Sequence, residues 1–292
     1  MRLDFLRKKE EVKKDKVGLV FEGGGLRGIF SGGVNDCLLD NDINVDYVIG
    51  VSAGSGNLYE YVAKKRGYIK DCLIQKNRLD SFYGFPQMIE SHKYINLDKM
   101  YDEYADKYGF SYENFMTNPI EWEVVVSNIE TGEAEYMHTN DIERSKLIGK
   151  ASCSIPGFVP PVKIDDQLYL DGGICDSIPV QRALDKGCDK VIVVLTRKKG
   201  NYSVLKEPTR TLMKQMYSDY PKFVDAMLAR NDLYKNQVAL AEQLEEEGKA
   251  IIIRPTMQEV GRLESNEDEL TLAYYHGYTK AKEYIDTIKS WL

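Results

Sequence analysis

The chain has 292 residues, 43% hydrophobic and 29% charged, a composition expected of a soluble globular protein long enough to bury a sizeable core. Its formal net charge of -7 argues against general nucleic-acid binding, which needs a basic excess, although local basic patches stay open. Five cysteines (Cys37, Cys72, Cys153, Cys175, Cys188) are odd in number and form no C-x-x-C pair, so free, mostly buried thiols in a reducing cytoplasm are expected, with no disulfide framework and no zinc site.

Residues 1–16 carry seven Lys or Arg against four Asp or Glu and lack the apolar block of a secretory signal. They are expected to form a solvated tail over residues 1–15, with a brief membrane-surface contact as the competing reading. The longest aliphatic runs, such as 191–195 and 250–253, are strand-sized, far below the roughly 20 residues of a spanning helix.

The first structured element is Val17-Gly18-Leu19-Val20-Phe21, a buried strand by composition. Glu22-Gly23-Gly24-Gly25-Leu26-Arg27-Gly28 follows, and residues 29–39 read as a helix. A strand, a glycine loop and a helix bring backbone N–H groups together where an anion can sit. Such a loop serves a dinucleotide pyrophosphate or an oxyanion hole. Gly23, Gly25 and Gly28 fit G-x-G-x-x-G, and Asp46 lies 18 residues beyond Gly28, near the spacing of a ribose-binding acid. Asp46 nevertheless precedes the second strand, whose far end carries a serine instead.

That serine lies in Tyr47-Val48-Ile49-Gly50-Val51-Ser52-Ala53-Gly54-Ser55-Gly56, read as a short strand, a tight turn and a helix. Gly50 and Gly54 let the backbone bend sharply, so the Ser52 hydroxyl stands clear of the sheet at a helix N-terminus, where developing negative charge is favoured. The helical stretch 56–68 is expected to close on Lys64-Lys65-Arg66-Gly67. Residues 80–96 hold Phe82, Tyr83, Phe85, Pro86, Met88 and Tyr94, which suit a core or the wall of an apolar channel. Residues 122–127 and 133–138 flank Ile129-Glu130-Thr131-Gly132 and predict a β-hairpin.

Within 151–177, prolines between Ile155 and Pro161 impose a fixed turn, and Leu168-Tyr169-Leu170 delivers Asp171-Gly172-Gly173 at a strand end. Two glycines there let an acid be presented into a cleft at little steric cost. The run 189–196 suits a parallel sheet covered on both faces. Residues 217–247 read as a long helix with Leu233, Val238, Leu240 and Leu244 facing the core, before a strand at 250–253 and a helix over 270–292. With no repeat or linker evident, one α/β domain over residues 16–292 is the simplest organisation.

Taken together, G-G-G-L-R-G at Gly23 to Gly28, G-V-S-A-G at Gly50 to Gly54 and D-G-G at Asp171 to Gly173 resemble the patatin-like phospholipase family. The segment A-S-C-S-I-P-G-F-V-P-P-V before the aspartate, and the stretches Ile253-Arg254-Pro255 and Gly261-Arg262-Leu263, are similar to its bacterial members. The resemblance covers residues 16 to about 284. It implies a three-layer α/β/α domain with a mainly parallel central sheet, acting on lipid or phospholipid carboxyl esters without metal or organic cofactor. It also implies a Ser-Asp dyad: Ser52 attacks the ester, Asp171 serves as base, and the oxyanion hole draws on Gly23, Gly24, Gly25, Arg27 and Gly28. The expected location is the cytoplasm, with peripheral membrane contact. Two readings compete with it: a nucleotide- or phosphate-binding module using the glycine loop, and an esterase using His276 in a Ser-Asp-His triad.

Overall fold

The computed structural model describes residues 14–75, 81–84, 87–89, 94–202 and 207–292; the tail residues 1–13, Phe85, Pro86 and His92 lie outside these. Its eight strands are β1 (Val17–Phe21), β2 (Tyr47–Val51), β3 (Glu121–Asn128), β4 (Ala134–Met137), β5 (Val162–Ile164), β6 (Gln167–Asp171), β7 (Lys190–Val194) and β8 (Ala250–Ile253). They form one sheet in the order β5-β6-β3-β2-β1-β7-β8, with β4 also paired to β3. Pairings β3-β2, β2-β1, β1-β7 and β7-β8 are parallel, while β4, β6 and β5 add antiparallel partners at the β3 side.

The helices are α1 (Gly28–Asp40), α2 (Ala53–Ala63), α3 (Tyr68–Leu73), α4 (Tyr104–Lys107), α5 (Tyr112–Thr117), α6 (Ile142–Ser152), α7 (Val180–Asp185), α8 (Glu207–Met216), α9 (Pro221–Glu246), α10 (Glu267–Lys282) and α11 (Ile285–Lys289). Successive strand residues point to opposite faces, and that alternation divides the core. Leu19, Phe21, Val48, Ile192 and Ile251 pack with Ile29, Val34, Leu58 and Tyr274 from α1, α2 and α10. Val20, Ile49, Val193 and Ile252 pack on the other face with Val180, Tyr234, Val238 and Leu244 from α7 and α9. Both faces of the sheet are covered, which is why these strands read as continuous apolar runs. The three-layer α/β/α expectation holds.

Register on β3 decides where the site falls. Val124 and Val125 pair with Gly50 and Val51 of β2 and also with Met137 and Tyr136 of β4, so β2 and β4 lie on opposite edges of β3. Val126 and Ser127 pair with both β4 and β6, which places β6 on the edge that β2 occupies. Strands β2 and β6 therefore run head-on along one edge. Val51 pairs with Val125 and Asp171 with Val126, so the two strands end at successive positions. Beyond Asp171 the slot is filled, and the chain turns away at Gly172.

Two helix boundaries and one buried helix face differ from the expectation. The segment read as one helix over 56–68 is two, because Lys64 takes φ 54° and Gly67 φ 81°, left-handed conformations that end α2 before the basic run. The C-terminal stretch likewise divides into α10 and α11. In α9, Tyr234 and Ala241 are fully packed with Val238 and Leu244, whereas Leu240 is half-buried against that cluster and Leu233 half-buried outside it. The inward face is turned slightly from the one anticipated.

Candidate active site

Ser52 occupies the turn between β2 and α2 with φ 54° and ψ -126°, a conformation costing a non-glycine residue about 1–3 kcal/mol unless its surroundings hold it. Its main-chain N–H donates to Ser152 Oγ at 2.8 Å, and its carbonyl accepts from Ser55 N at 2.8 Å and Ser55 Oγ at 2.6 Å. The helix start packs directly on the end of β1: a Cβ on Gly54 would stand 2.4 Å from Phe21 O. One on Gly50 would stand 2.4 Å from Gly54 O. Only hydrogen fits at either position.

Asp171 ends β6 and is 9% exposed. The Ser52 hydroxyl donates to its Oδ2 at 2.7 Å, and Gly173 N donates to Oδ1 at 2.8 Å. Burial raises the Asp171 pKa above the ordinary aspartate value; the Ser52 and Gly173 hydrogen bonds and the charges of Arg230 and Arg262 moderate the rise. The acid's loop is fastened on several sides. Ser127 Oγ donates to Asp171 O at 2.9 Å, Ser177 Oγ to Gly173 O at 2.7 Å, and Gln237 of α9 accepts from Ser177 N and Ile178 N.

The glycine loop lies across from this pair. A Cβ on Gly23 would stand 3.0 Å from the Cβ of Ser52, and Gly23, Gly24, Gly25 and Arg27 line one cavity with Ser52 and Asp171. Gly25 has φ 59°, and a Cβ there would stand 2.7 Å from Arg262 O, so only glycine lets the C-terminal chain close over the loop. That contact is completed by Leu26 N donating to Arg262 O at 3.0 Å. Among the described residues, the N–H groups of Gly24 and Gly25 have no hydrogen-bond acceptor. Gly28 begins α1 behind the loop, against Ala53. Gly172 crosses β3, where a Cβ would stand 2.2 Å from Val125 O.

Two cavities meet at Ser52. The larger, about 460 Å³, is lined by the glycine loop, Asp171, Phe158, Met213, Arg230 and Arg262. The smaller, about 60 Å³, is walled mainly by apolar side chains, among them Ile69, Leu73, Phe82, Leu97 and Met100. Phe82 thus belongs both to the core and to a channel wall, and Tyr83 lines the same channel.

Neither His276 nor Asp46, on which the triad and dinucleotide readings relied, lies at this site. His276 sits on α10 with Nε2 accepting from Thr256 N at 3.1 Å and its ring 5.5 Å from that of Phe30; it makes no hydrogen bond to Ser52 or Asp171. Asp46 accepts from Val17 N at 2.8 Å, at the opposite end of the strands from the glycine loop. Sequence reasoning missed Ser152 and Glu22. Glu22 is 1% exposed and accepts from Thr196 N at 2.6 Å and Tyr234 Oη at 2.9 Å, tying β1, the end of β7 and α9 together beneath the loop. Its position directly before three glycines was the available signal.

A positive-φ serine between a parallel strand and a helix, within hydrogen-bond reach of a buried carboxylate, defines an α/β protein of the serine-elbow class. The family model described as patatin-like phospholipase matches residues 19–184, and the chain belongs to that family. A second model, a domain of unknown function, matches residues 220–292. Strand β8 of that segment pairs with β7 in the one sheet.

Among curated relatives, the uncharacterized protein YjjU of Escherichia coli is 28% identical over 195 residues, covering 62% of this chain and 52% of that protein. Lysophospholipase NTE1 of Debaryomyces hansenii is 31% identical over 204 residues, covering 65% of this chain and 12% of its own. The chain thus spans about half or less of the length of these relatives. The crystal structure of VipD from Legionella pneumophila aligns with 94% of this chain and 67% of its own at a TM-score of 0.52 and 15% identity, a likeness of fold.

Proposed function

We propose that the protein is a serine acyl hydrolase of the lipase or phospholipase A type, cleaving lipid carboxyl esters through a Ser52-Asp171 dyad. The carrying observation is the 2.7 Å hydrogen bond from the Ser52 hydroxyl, held on a strained turn, to the buried Asp171 carboxylate. Ser52 Oγ attacks the ester carbonyl while its proton passes to Asp171, which returns it to the leaving alcohol. Asp171 then takes a proton from the water that attacks the acyl-serine, and the released serine oxygen is reprotonated. The N–H groups of Gly24 and Gly25 receive the oxyanion; removal of one such donor typically costs ~10²–10³ in turnover. Raised basicity of Asp171 suits the role, since a carboxylate at its ordinary pKa is a weak base.

The smaller cavity takes the acyl chain. Phe158, Leu212 and Met216 are exposed, and Phe158 lines the larger cavity while α8 contributes Thr209 and Met213; this supports brief docking on a lipid surface. No helix of the described residues is long and apolar enough to cross a membrane. Free thiols at all five cysteines support a cytoplasmic place of action. We take residues 16–292 as one domain because β8 and Arg262 complete the sheet and the loop that the family model begins.

The test is hydrolysis of p-nitrophenyl esters of increasing acyl length by wild type, Ser52→Ala, Asp171→Asn and His276→Ala, each checked for folding. Activity should vanish in the first two variants and persist in the third. Full activity in Ser52→Ala would overturn the assignment.

A further inference from the structure

The larger cavity holds more positive charge than an ester hydrolase needs. Arg27 from the glycine loop, Arg230 from α9 and Arg262 from the chain before α10 all line it, and Asp171 is the one carboxylate among its described lining residues. That carboxylate is already engaged by Ser52 and Gly173. Each guanidinium offers five N–H donors. Arg27 Nε donates to Gly24 O at 3.3 Å and Arg230 Nε to Gly173 O; the Arg262 side chain has no hydrogen bond, and none of the three forms an ion pair among the described residues.

Like charges crowd them, and the buried Glu22 offsets this only in part. Burial, with Arg197 and then Arg262 as like-charged neighbours, pushes Arg27 down to about 10, and burial with Arg262 and Arg197 does the same to Arg230. Both remain cationic at neutral pH. In a chain of net charge -7, three such groups lining one cavity are poised for an anion. Planar forks favour oxyanions that accept two parallel hydrogen bonds, phosphate above all. Arg262 also lines the apolar channel, so it stands where the two cavities meet at Ser52, and the larger cavity, which Arg27 and Arg230 line as well, is left for the alcohol portion of an ester.

We propose that Arg230 and Arg262, together with Arg27, form a phosphate subsite beside Ser52, by which the segment of unassigned function selects carboxyl esters bearing a phosphate on the alcohol side of the scissile bond. This rests on Ser52 as the nucleophile, and it assigns residues 220–292 a direct part in substrate choice.

Two measurements on the full chain test it. In the first, kcat/KM is compared for a short-chain monoacylglycerol and the same monoacylglycerol 3-phosphate, both below their aggregation limits, in wild type, Arg262→Gln and Arg230→Gln. Wild type should favour the phosphate ester, and the preference should fall about tenfold or more in each variant, chiefly through KM, as expected for loss of a charge-assisted hydrogen bond. Arg262→Gln keeps the main-chain contact to Leu26, so it reports the guanidinium even if Arg230→Gln folds poorly.

In the second, thermal stabilisation of Ser52→Ala by glycerol 3-phosphate and by inorganic phosphate is read with and without Arg262→Gln. Stabilisation lost with Arg262→Gln supports the subsite; a stronger effect of glycerol 3-phosphate identifies a lipid headgroup, and equal effects identify free phosphate and overturn the headgroup part. Equal kcat/KM for both esters in every protein, with no stabilisation, overturns the subsite while leaving the hydrolase reading intact. If no ester is hydrolysed at all, the hydrolase reading falls, and the binding measurement still decides the subsite.

Discussion

Ser152 holds Ser52 by its backbone: the Ser152 hydroxyl accepts the Ser52 N–H at 2.8 Å and donates to Val125 O at 2.7 Å. It clamps the strained turn to β3, the strand on which β2 and β6 converge. Because the Ser52 N–H is committed to this contact, the oxyanion reading relies on the glycine loop for its donors.

Ser152→Ala leaves a buried N–H and a buried carbonyl short of a partner, at a cost of about 1–3 kcal/mol. Turnover on a p-nitrophenyl ester should fall about tenfold to a hundredfold as Ser52 drifts from its productive position, with KM moving less than kcat. Denaturant titration and steady-state kinetics on one preparation read both. A variant with wild-type kcat would show that Ser152 does not position Ser52.

The pH dependence of kcat/KM should carry one acid limb set by Asp171. The base must be deprotonated, and burial raises its pKa, so activity should be lost as pH falls through a value above the ordinary aspartate range. Arg262 lowers that pKa by its charge, so Arg262→Gln should move the limb upward. His276→Ala should leave the limb in place. A limb that disappears in His276→Ala would restore the triad reading.

Glu60 is fully buried with no exposed surface, and burial followed by the neighbouring Asp36 holds its pKa well above the ordinary glutamate range. Its Oε2 accepts from Ile69 N at 2.6 Å, while Asp36 accepts from Gly67 N at 2.8 Å and from Tyr274 Oη. Above the ordinary glutamate pKa the folded state therefore keeps this proton to higher pH than the unfolded chain does. Stability from this group is complete below the unfolded glutamate pKa and declines as pH rises from there toward the folded value. Glu60→Gln should remove that decline, so the stability difference between variant and wild type should grow in the variant's favour as pH rises above the ordinary glutamate range. A difference that does not change with pH would show that Glu60 folds as a carboxylate.

Glu22 compensates the nearly buried Arg197, with Oε1 3.8 Å from its Nε, in addition to accepting from Thr196 and Tyr234. Glu22→Ala strands that guanidinium and should cost about 3–5 kcal/mol, with Glu22→Gln milder because it keeps one acceptor. The loop it anchors should loosen as well. Labelling of Ser52 by a fluorophosphonate should slow in both variants, and unchanged labelling in Glu22→Ala would separate the loop's geometry from this anchor.

Much of the fold was legible in residue order, for a physical reason. Strands β1, β2, β7 and β8 are covered on both faces, so they had to be near-continuous apolar runs, and the β3-β4 hairpin declared itself through alternation around a glycine turn. The elbow was legible because only glycine fits at Gly50 and Gly54, a local constraint written into the motif. Helix ends were less so: Lys64 takes a left-handed conformation that its residue type does not announce.

What tertiary structure alone decided is the company each local feature keeps. Ser52 and Asp171 are 119 residues apart, and they meet because β2 and β6 run head-on along one edge of β3, a pairing that no periodicity encodes. The same holds for Ser152 under the turn, Glu22 beneath the loop, and Arg230 and Arg262 around the cavity. The sequence by itself determined which segments bury and where the backbone must bend, because burial and steric fit act within a few residues. Which side chains face one another across the site depends on strand register and on distant segments packing together, and only the folded chain sets those.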